Sequence, residues 1–388
     1  MIKITESQKE ILLGLKKIIK NKTGRLHDPI FIGNEKKYLN QCIDSSFVSY
    51  VGEFVNIFEK KIASYTNVRY AIATNSGISA LHLILKYFNI NSKDEVIMPS
   101  YTYVATANAV SYCGSTPHFV DIETETLGIC PKKLDLYLKK ISKKVGSIYY
   151  NKKSGKRIKA LILVHVYGFP SKIVEIKKIC KKYNIRFIED AAETIGSFLN
   201  GKHLGTFSEA GMISFNGNKT LTCGGGGVVL TNNKKMAFKL KHLSTQAKIP
   251  NNNDHIHDEV GYNYRMTNLS AAVACAQLET INTIISAKRK NFQSYKKTFK
   301  DSKHIEFMEE PKNSKCNYWL MVGILKNNKI KKKLIKFLKE NGVHTRSTWR
   351  PLHTLKIFKD CPKDNMNNSM IFFNKAINFP SSPALSYK

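Results

Sequence analysis

Apolar and polar positions change period several times along this chain, and the changes predict its elements. The opening stretch, MIKITESQKEILLGLKKIIKN, carries its apolar residues at helical intervals. Residues 34–66 continue in that manner, with Val55, Phe58, Ile62 and Tyr65 at helical spacing. Short apolar runs then alternate with helical patterns. YAIAT (70–74), EVIMP (95–99), TPHFVDI (116–122), KALILVHVYG (159–168), IRFIED (185–190), AGMISFN (210–216) and GGVVLTN (226–232) read as buried strands. SGISALHLILKYF, YVATANAVSYC and IVEIKKICKKY read as the helices between them. This alternation predicts an α/β fold with a mainly parallel central sheet flanked by helices. After about residue 265 comes one long helical pattern, LSAAVACAQLETINTIISAKRKNFQSYKKTF, and then a smaller α+β region. The expected organisation is a helical N-terminal extension over 1–33, a large domain over 34–265 and a small C-terminal domain over 266–388.

Composition narrows the function classes. A chain of 388 residues with 42% apolar content can bury a large core, and none of its apolar runs approaches the roughly 20 residues of a spanning helix. The N-terminal pattern lacks the uninterrupted apolar stretch and cleavage site of a signal peptide, so a cytoplasmic protein with no membrane partner is expected. The eight cysteines are scattered without a CxxC pair, which predicts small core fillers in a reducing compartment and no metal site. The net charge of +33 raises a nucleic-acid reading. Its excess is mostly Lys in short runs on expected solvent faces, such as KKIIKNK, KKVG and residues 331–333, without any helix-turn-helix, zinc-finger or RNP pattern. No nucleic-acid partner is expected, although a basic surface can steer an anionic substrate.

Ligands of such sheets bind beyond the carboxyl ends of the strands, and here those ends carry Asn75-Ser76-Gly77, Pro99-Ser100-Tyr101, His165, Asp190 and Ser214. Asp190 closes a strongly apolar strand, where a carboxylate is costly unless it meets a cation; a protonated pyridine nitrogen is one such cation. Lys219 follows 29 positions later in SFNGNKTLTCGGGG, where an amine can reach an aldehyde. The plainer readings are an Asp capping a strand-to-helix turn and one Lys among many. Gly224 to Gly227 suit close ligand approach or simply a hairpin. Ser76 and Gly77 fall where a strand meets a helix N-terminus, which suits an anion, and Ser214 offers a hydroxyl. Tyr103 can stack on a flat ring or serve as a half-buried core aromatic.

Three segments in order, EDAAETIGS, the SFNGNK block with its glycines, and GYNYRMTNLSAAVACAQLE (261–279), resemble the DegT/DnrJ/EryC1/StrS family of sugar aminotransferases. The resemblance spans roughly residues 30 to 385 and implies the fold type I scaffold with pyridoxal 5'-phosphate (PLP) as cofactor. It implies Lys219 as the Schiff-base lysine, Asp190 as partner of the pyridine nitrogen and Glu193 as the polar residue beside the phenolic oxygen. It further implies phosphate contacts from Ser76, Gly77 and Ser214, and ring stacking by Tyr103. Asn263 would reach the phosphate site of a neighbouring subunit, making a homodimer with shared active sites. Some relatives replace the lysine with histidine and are dehydratases; Lys219 favours transamination.

Within the family, FVSYVGEFVNIFEKKIASYT, HLSTQAKIP, HDEVGYNYR, CNYWL and FPSS resemble the legionaminic-acid branch and its bacillosamine-type relatives. That branch implies amination of C-4 of a nucleotide-linked 4-keto-6-deoxy-N-acetylglucosamine, with glutamate as amino donor. In TRSTWRPLH (345–353) Ser347 stands where relatives usually carry Pro, which leaves the nucleotide open between UDP and GDP. Arg346, Trp349 and His353 are substrate candidates because a cation and aromatics suit a diphosphate and a base; a surface Arg, a core Trp and a surface His are the plainer alternatives. His165 is likewise a candidate, or a satisfied buried histidine. The rival activities are amination of another keto-sugar such as GDP-4-keto-6-deoxymannose, and a non-catalytic basic binding protein or partner subunit on this fold.

Overall fold

A computed structural model describes residues 5–250 and 254–387. The chain begins with α1 (Glu6–Ile19), α2 (Glu35–Asp44) and α3 (Glu53–Thr66). It then alternates β1 (Tyr70–Thr74), α4 (Gly77–Tyr87), β2 (Asp94–Pro99), α5 (Val104–Tyr112), β3 (Thr116–Val120) and α6 (Pro131–Ile141). A hairpin of β4 (Ser142–Val145) and β5 (Ile148–Asn151) leads into β6 (Arg157–Val164), α7 (Ile173–Lys182) and β7 (Arg186–Asp190). The short β8 (Phe198–Leu199) and β9 (Lys202–His203) precede β10 (Ala210–Ser214), β11 (Gly227–Thr231) and α8 (Lys234–Ser244). After them come α9 (Asn268–Glu279), α10 (Ile281–Thr298), β12 (Ile305–Phe307), β13 (Ser314–Lys315) and β14 (Met321–Leu325). The last elements are α11 (Lys331–Glu340), β15 (Arg346–Ser347), α12 (Asn367–Lys375) and β16 (Ala376–Phe379).

The main sheet has nine strands, seven of them in the order β1-β11-β10-β7-β6-β2-β3. From β3 through β10 the neighbours pair parallel, whereas β11 pairs antiparallel with both β10 and β1. The carboxyl ends of β1, β2, β6, β7 and β10 therefore gather at one edge, and the reversed β11 starts there. Residues along each strand alternate between two cores. Ile72, Met98, Ile162 and Val229 join α4 and α8 on one face. Ile97, Leu161 and Phe187 meet α6 and α7 on the other, where Ala73, Ile213 and Val228 meet α3 and α9. A second sheet runs β12-β14-β16-β15.

The expected strands and helices of the sheet region recur within a residue or two, and four other details differ. The run KALILVHVYG stops being a strand at Val164, because Tyr167 takes a left-handed φ of 57° and donates its N–H to Glu193 Oε2 at 2.7 Å. A tertiary bond here overrides β-propensity. The expected long helix divides at Thr280, whose N–H turns back to Leu278 O, giving α9 and α10. The N-terminal extension is helical only over α1, which opens on a Thr5–Gln8 capping box; residues 1–4 of that expectation lie outside the described residues. Beyond α1 the chain runs along the second sheet's loops, with Asp28 N–H donating to Ser382 Oγ at 2.7 Å. Lys331, expected on a solvent face, is buried and donates to Phe373 O. All eight cysteines are free thiols, and no helix among the described residues is long and apolar enough to cross a membrane.

Candidate active site

At the gathered strand ends lies a cavity of about 480 Å³, and each wall comes from a turn the fold forces there. Beyond β1 the chain enters α4 through Ser76, whose Oγ accepts the Ser79 N–H at 3.2 Å as the helix N-cap. A Cβ on Gly77 would stand 2.8 Å from Ser214 Cβ, so only glycine lets the helix start approach the end of β10. Gly227 is equally tight, since its Cβ would come within 2.6 Å of the Ser76 carbonyl. These small residues bring a helix N-terminus and the Ser76 and Ser214 hydroxyls to one corner of the cavity. Such a corner favours a phosphate.

Asp190 ends β7 and lines the same cavity. Its Oδ2 accepts the Thr106 hydroxyl at 2.7 Å and its Oδ1 accepts the Ala192 N–H at 3.1 Å. Burial raises its proton affinity above the usual carboxylate range, and those two bonds offset part of the rise. Among the described residues, no Lys, Arg or His forms an ion pair with Asp190. A buried carboxylate so placed suits a cationic ligand atom.

Lys219 arrives from the β10–β11 turn, with its Nζ 3.2 Å from Glu193 Oε1. The same amine lies over the Trp319 ring, 4.0 Å from its centroid. Burial pushes the Glu193 carboxyl up to about 7, against the pull of Lys219 and of the Tyr167 N–H. The amine and Asp190 thus share one cavity, with Tyr103, 57% exposed, and Trp349 at its aromatic wall. Trp349 stands 4.7 Å from the Tyr167 ring and 6.1 Å from that of Tyr103.

Nine of the twelve residues given a cofactor or substrate role from sequence line this cavity: Ser76, Gly77, Tyr103, Asp190, Glu193, Ser214, Lys219, Arg346 and Trp349. Three do not. His165 is buried, with Nε2 3.1 Å from Glu189 Oε1 and Nδ1 accepting the Ser171 N–H, so both ring nitrogens are spent within the protein. His353 Nδ1 lies 2.7 Å from Ser100 Oγ. Asn263 holds Arg265 through its side chain and Asn75 through its carbonyl. Thr106 and Trp319 were missed. Thr106 lies in the first turn of α5, with no local signal that its hydroxyl meets Asp190. Trp319 sits within CNYWL, a segment already notable, and carries the aromatic face that a lysine-binding pocket uses.

The donor set fits PLP: an amine for its aldehyde, a buried acid for its ring nitrogen, a helix N-terminus for its phosphate and Tyr103 for its ring. The sequence profile of the DegT/DnrJ/EryC1/StrS aminotransferase family matches residues 30–388. The chain belongs to that family. Its members are PLP-dependent, so PLP is the cofactor for which this cavity is built. GDP-perosamine synthase of Escherichia coli O157:H7 is 35% identical over 361 residues, covering 93% of this chain and 94% of that protein. The enzyme of the same name from Vibrio cholerae is 35% identical over 365 residues, covering 93% and 94%. These relatives support the family expected from sequence but not its legionaminic-acid branch specifically. Solved structures share the fold: Helicobacter pylori PseC, an aminotransferase of pseudoaminic acid biosynthesis, has a TM-score of 0.83 at 22% identity over 92% of this chain and 94% of that one. The aminotransferase TlmJ of Streptoalloteichus hindustanus has a TM-score of 0.84 at 20% identity, covering 93% and 94%.

Proposed function

We propose that this sugar aminotransferase moves an amino group from glutamate to C-4 of a nucleotide-linked 4-keto-6-deoxyhexose, with GDP-4-keto-6-deoxymannose as the favoured acceptor. The observation that carries the chemistry is the single cavity holding the Lys219 amine, the cation-free Asp190 carboxylate and the α4 N-terminus. The GDP-linked acceptor is supported by two relatives named for GDP-perosamine synthesis, matched over nearly their whole length.

PLP, when bound, supplies an electrophilic carbon and a ring that accepts electrons. Lys219 Nζ would hold the cofactor through that carbon and, as a free amine, would be the base that moves a proton at the donor's α-carbon. General acid–base transfer of this kind contributes about 10²–10⁴-fold. Asp190 would hold the proton on the ring nitrogen, a task its buried, Thr106-supported carboxylate suits. Glu193 receives the free amine at 3.2 Å. Ser76, Gly77 and Ser214 would seat the phosphate, and Tyr103 would cover the ring. Arg346, exposed at the cavity wall, meets the anionic end of the donor or of the sugar nucleotide. A homodimer completes the site: Asn263 reaches the neighbouring subunit, and the exposed apolar run Phe47, Val48, Tyr50 and Val51 becomes covered.

A second acceptor, UDP- or GDP-linked 4-keto-6-deoxy-N-acetylglucosamine, is favoured by the branch-like segments at 47–66, 242–250 and 257–265. Incubation with glutamate and each keto-sugar, read by product mass, decides between them. A product from neither, with the protein fully PLP-loaded, rejects both acceptors.

A further inference from the structure

Trp319 is held more firmly than an ordinary core aromatic. Its N–H donates to Asn317 Oδ1 at 2.9 Å, and its indole Nε1 donates to Asn218 O, next to Lys219, at 2.6 Å. Its carbonyl accepts both Lys288 Nζ at 3.0 Å and Ser381 Oγ at 2.9 Å. Asn317 in turn donates to the Glu193 and Ile195 carbonyls at 2.8 and 2.9 Å, fastening this turn to the segment that carries the lysine's acidic partner. Between them Tyr318 adopts a φ of 49°, rare for a bulky residue, and stacks on Phe292 with centroids 4.1 Å apart. Strain of this kind persists only where surrounding contacts over-determine it.

The mount continues into α10. Lys288 is fully buried, and among the described residues no carboxylate pairs with it. Its amine reaches Trp319 O and Ser381 O. Asn291 and Tyr295, on the same helix face, donate to the Ser382 and Pro380 carbonyls. A buried amine spent on two carbonyls is a costly fastener, and one of those carbonyls belongs to the residue whose ring faces Lys219.

We propose that Trp319 is a positioning residue for Lys219, its indole face and the Glu193 carboxylate together receiving the amine whenever it is not bonded to the cofactor, with Lys288 and Asn317 fixing that face. This rests on the reading of Lys219 as the PLP-binding lysine. The charged groups around the amine are Glu193 in contact, Asp190 across the cavity and Arg346 at its wall. Lys288 and Lys219 both lower the proton affinity of His27, whose ring nitrogens are buried. An aromatic face favours the ammonium form, whereas bonding to the PLP aldehyde needs the neutral amine, whose lone pair adds to the carbonyl carbon as water leaves.

The test strips the full-length protein of cofactor and follows its recombination with added PLP against pH, by visible absorbance and by protein mass after borohydride reduction. Trp319→Leu should move the pH midpoint of recombination downward by about half a unit. Trp319→Phe, which keeps an aromatic face, should fall between Leu and wild type, and Lys288→Met should move towards the Leu value. A Leu midpoint equal to wild type, or a Phe midpoint equal to Leu, overturns the role of the aromatic face. Should Trp319→Leu fail to fold, the Phe and Lys288→Met shifts decide, and wild-type midpoints in both overturn the proposal. A reducible adduct persisting in Lys219→Ala would instead defeat the underlying assignment of the lysine.

Discussion

Replacing Thr106 by Val tests how the buried acid is kept ionised. The substitution preserves shape and removes one hydroxyl, the donor of the 2.7 Å bond to Asp190 Oδ2. Burial is the largest influence on Asp190 and raises its proton affinity; the Thr106 bond is the largest influence in the other direction. A hydrogen bond to a charged group contributes about 1.5–3 kcal/mol, equivalent to about 1–2 pH units of proton affinity. The bond stabilises the ionised form, so its loss moves Asp190 protonation to higher pH. Only the ionised carboxylate retains a protonated ring nitrogen, hence the acid limb of PLP affinity in cofactor-free protein should move up by about 1–2 units. Thr106→Ser, which keeps a hydroxyl, should stay near wild type. Equilibrium titration with PLP across pH, followed by absorbance, measures both variants. An acid limb in Thr106→Val that coincides with wild type would refute the reasoning, leaving backbone donors and burial to set the ionisation.

Lys219→Ala should abolish both turnover and the borohydride-stable PLP adduct, as read by intact mass; retained turnover would remove the lysine from the mechanism. Gly77→Ala places a Cβ 2.8 Å from Ser214 Cβ. Overpacking of this kind costs about 1–3 kcal/mol, so PLP affinity should drop about 5- to 150-fold by titration, and an unchanged affinity would contradict the phosphate corner. Glu193, pushed up to about 7 by burial, binds its proton more tightly in the folded than in the unfolded protein. Its contribution to stability is therefore full below about pH 4.5 and declines as pH rises to about 7, by at most on the order of 3 kcal/mol. Denaturant unfolding of cofactor-free protein should show this decline in wild type and a flatter profile in Glu193→Gln; parallel profiles would mean that Lys219 cancels the effect of burial.

The sheet was legible because its strands are buried on both faces, so they read as short continuous apolar runs between helices, and the two cores confirm the reason: Ile97 and Met98 are adjacent yet serve opposite faces. Asp190 was legible by contrast, an acid ending such a run. Thr106 was not, because a threonine early in a helix looks like any other polar position, and the fold alone brings it to Asp190. The strand expected through Tyr167 and the unbroken helix expected through Thr280 failed for a shared reason. Propensity describes the chain's local preference, whereas Glu193 claims the Tyr167 N–H from 26 residues away and the Thr280 N–H returns to Leu278. His165 shows the opposite limit. Its place at a strand end is visible in sequence, but the neighbours that occupy both its nitrogens are not.

Several departures from local preference lie beside the cavity. Tyr167 and Tyr318 both take left-handed backbone, and each flanks the Lys219–Glu193 pair, one through its N–H and the other through the turn that mounts Trp319. Among the described residues, Asp190 is buried without a cationic partner and Lys288 without an anionic one. Each feature costs stability in the cofactor-free chain, and hydrogen bonds from protein neighbours offset that cost in part. A cation arriving beside Asp190 would relieve the largest of them, because the desolvated carboxylate then gains the partner that the fold withholds. Cofactor binding and folding would therefore be coupled at that carboxylate, and a ligand that binds only the folded chain stabilises it by an amount that grows with the logarithm of free ligand concentration over Kd. The geometry that makes a buried Asp190 expensive is the same geometry that would let it hold a ring nitrogen protonated.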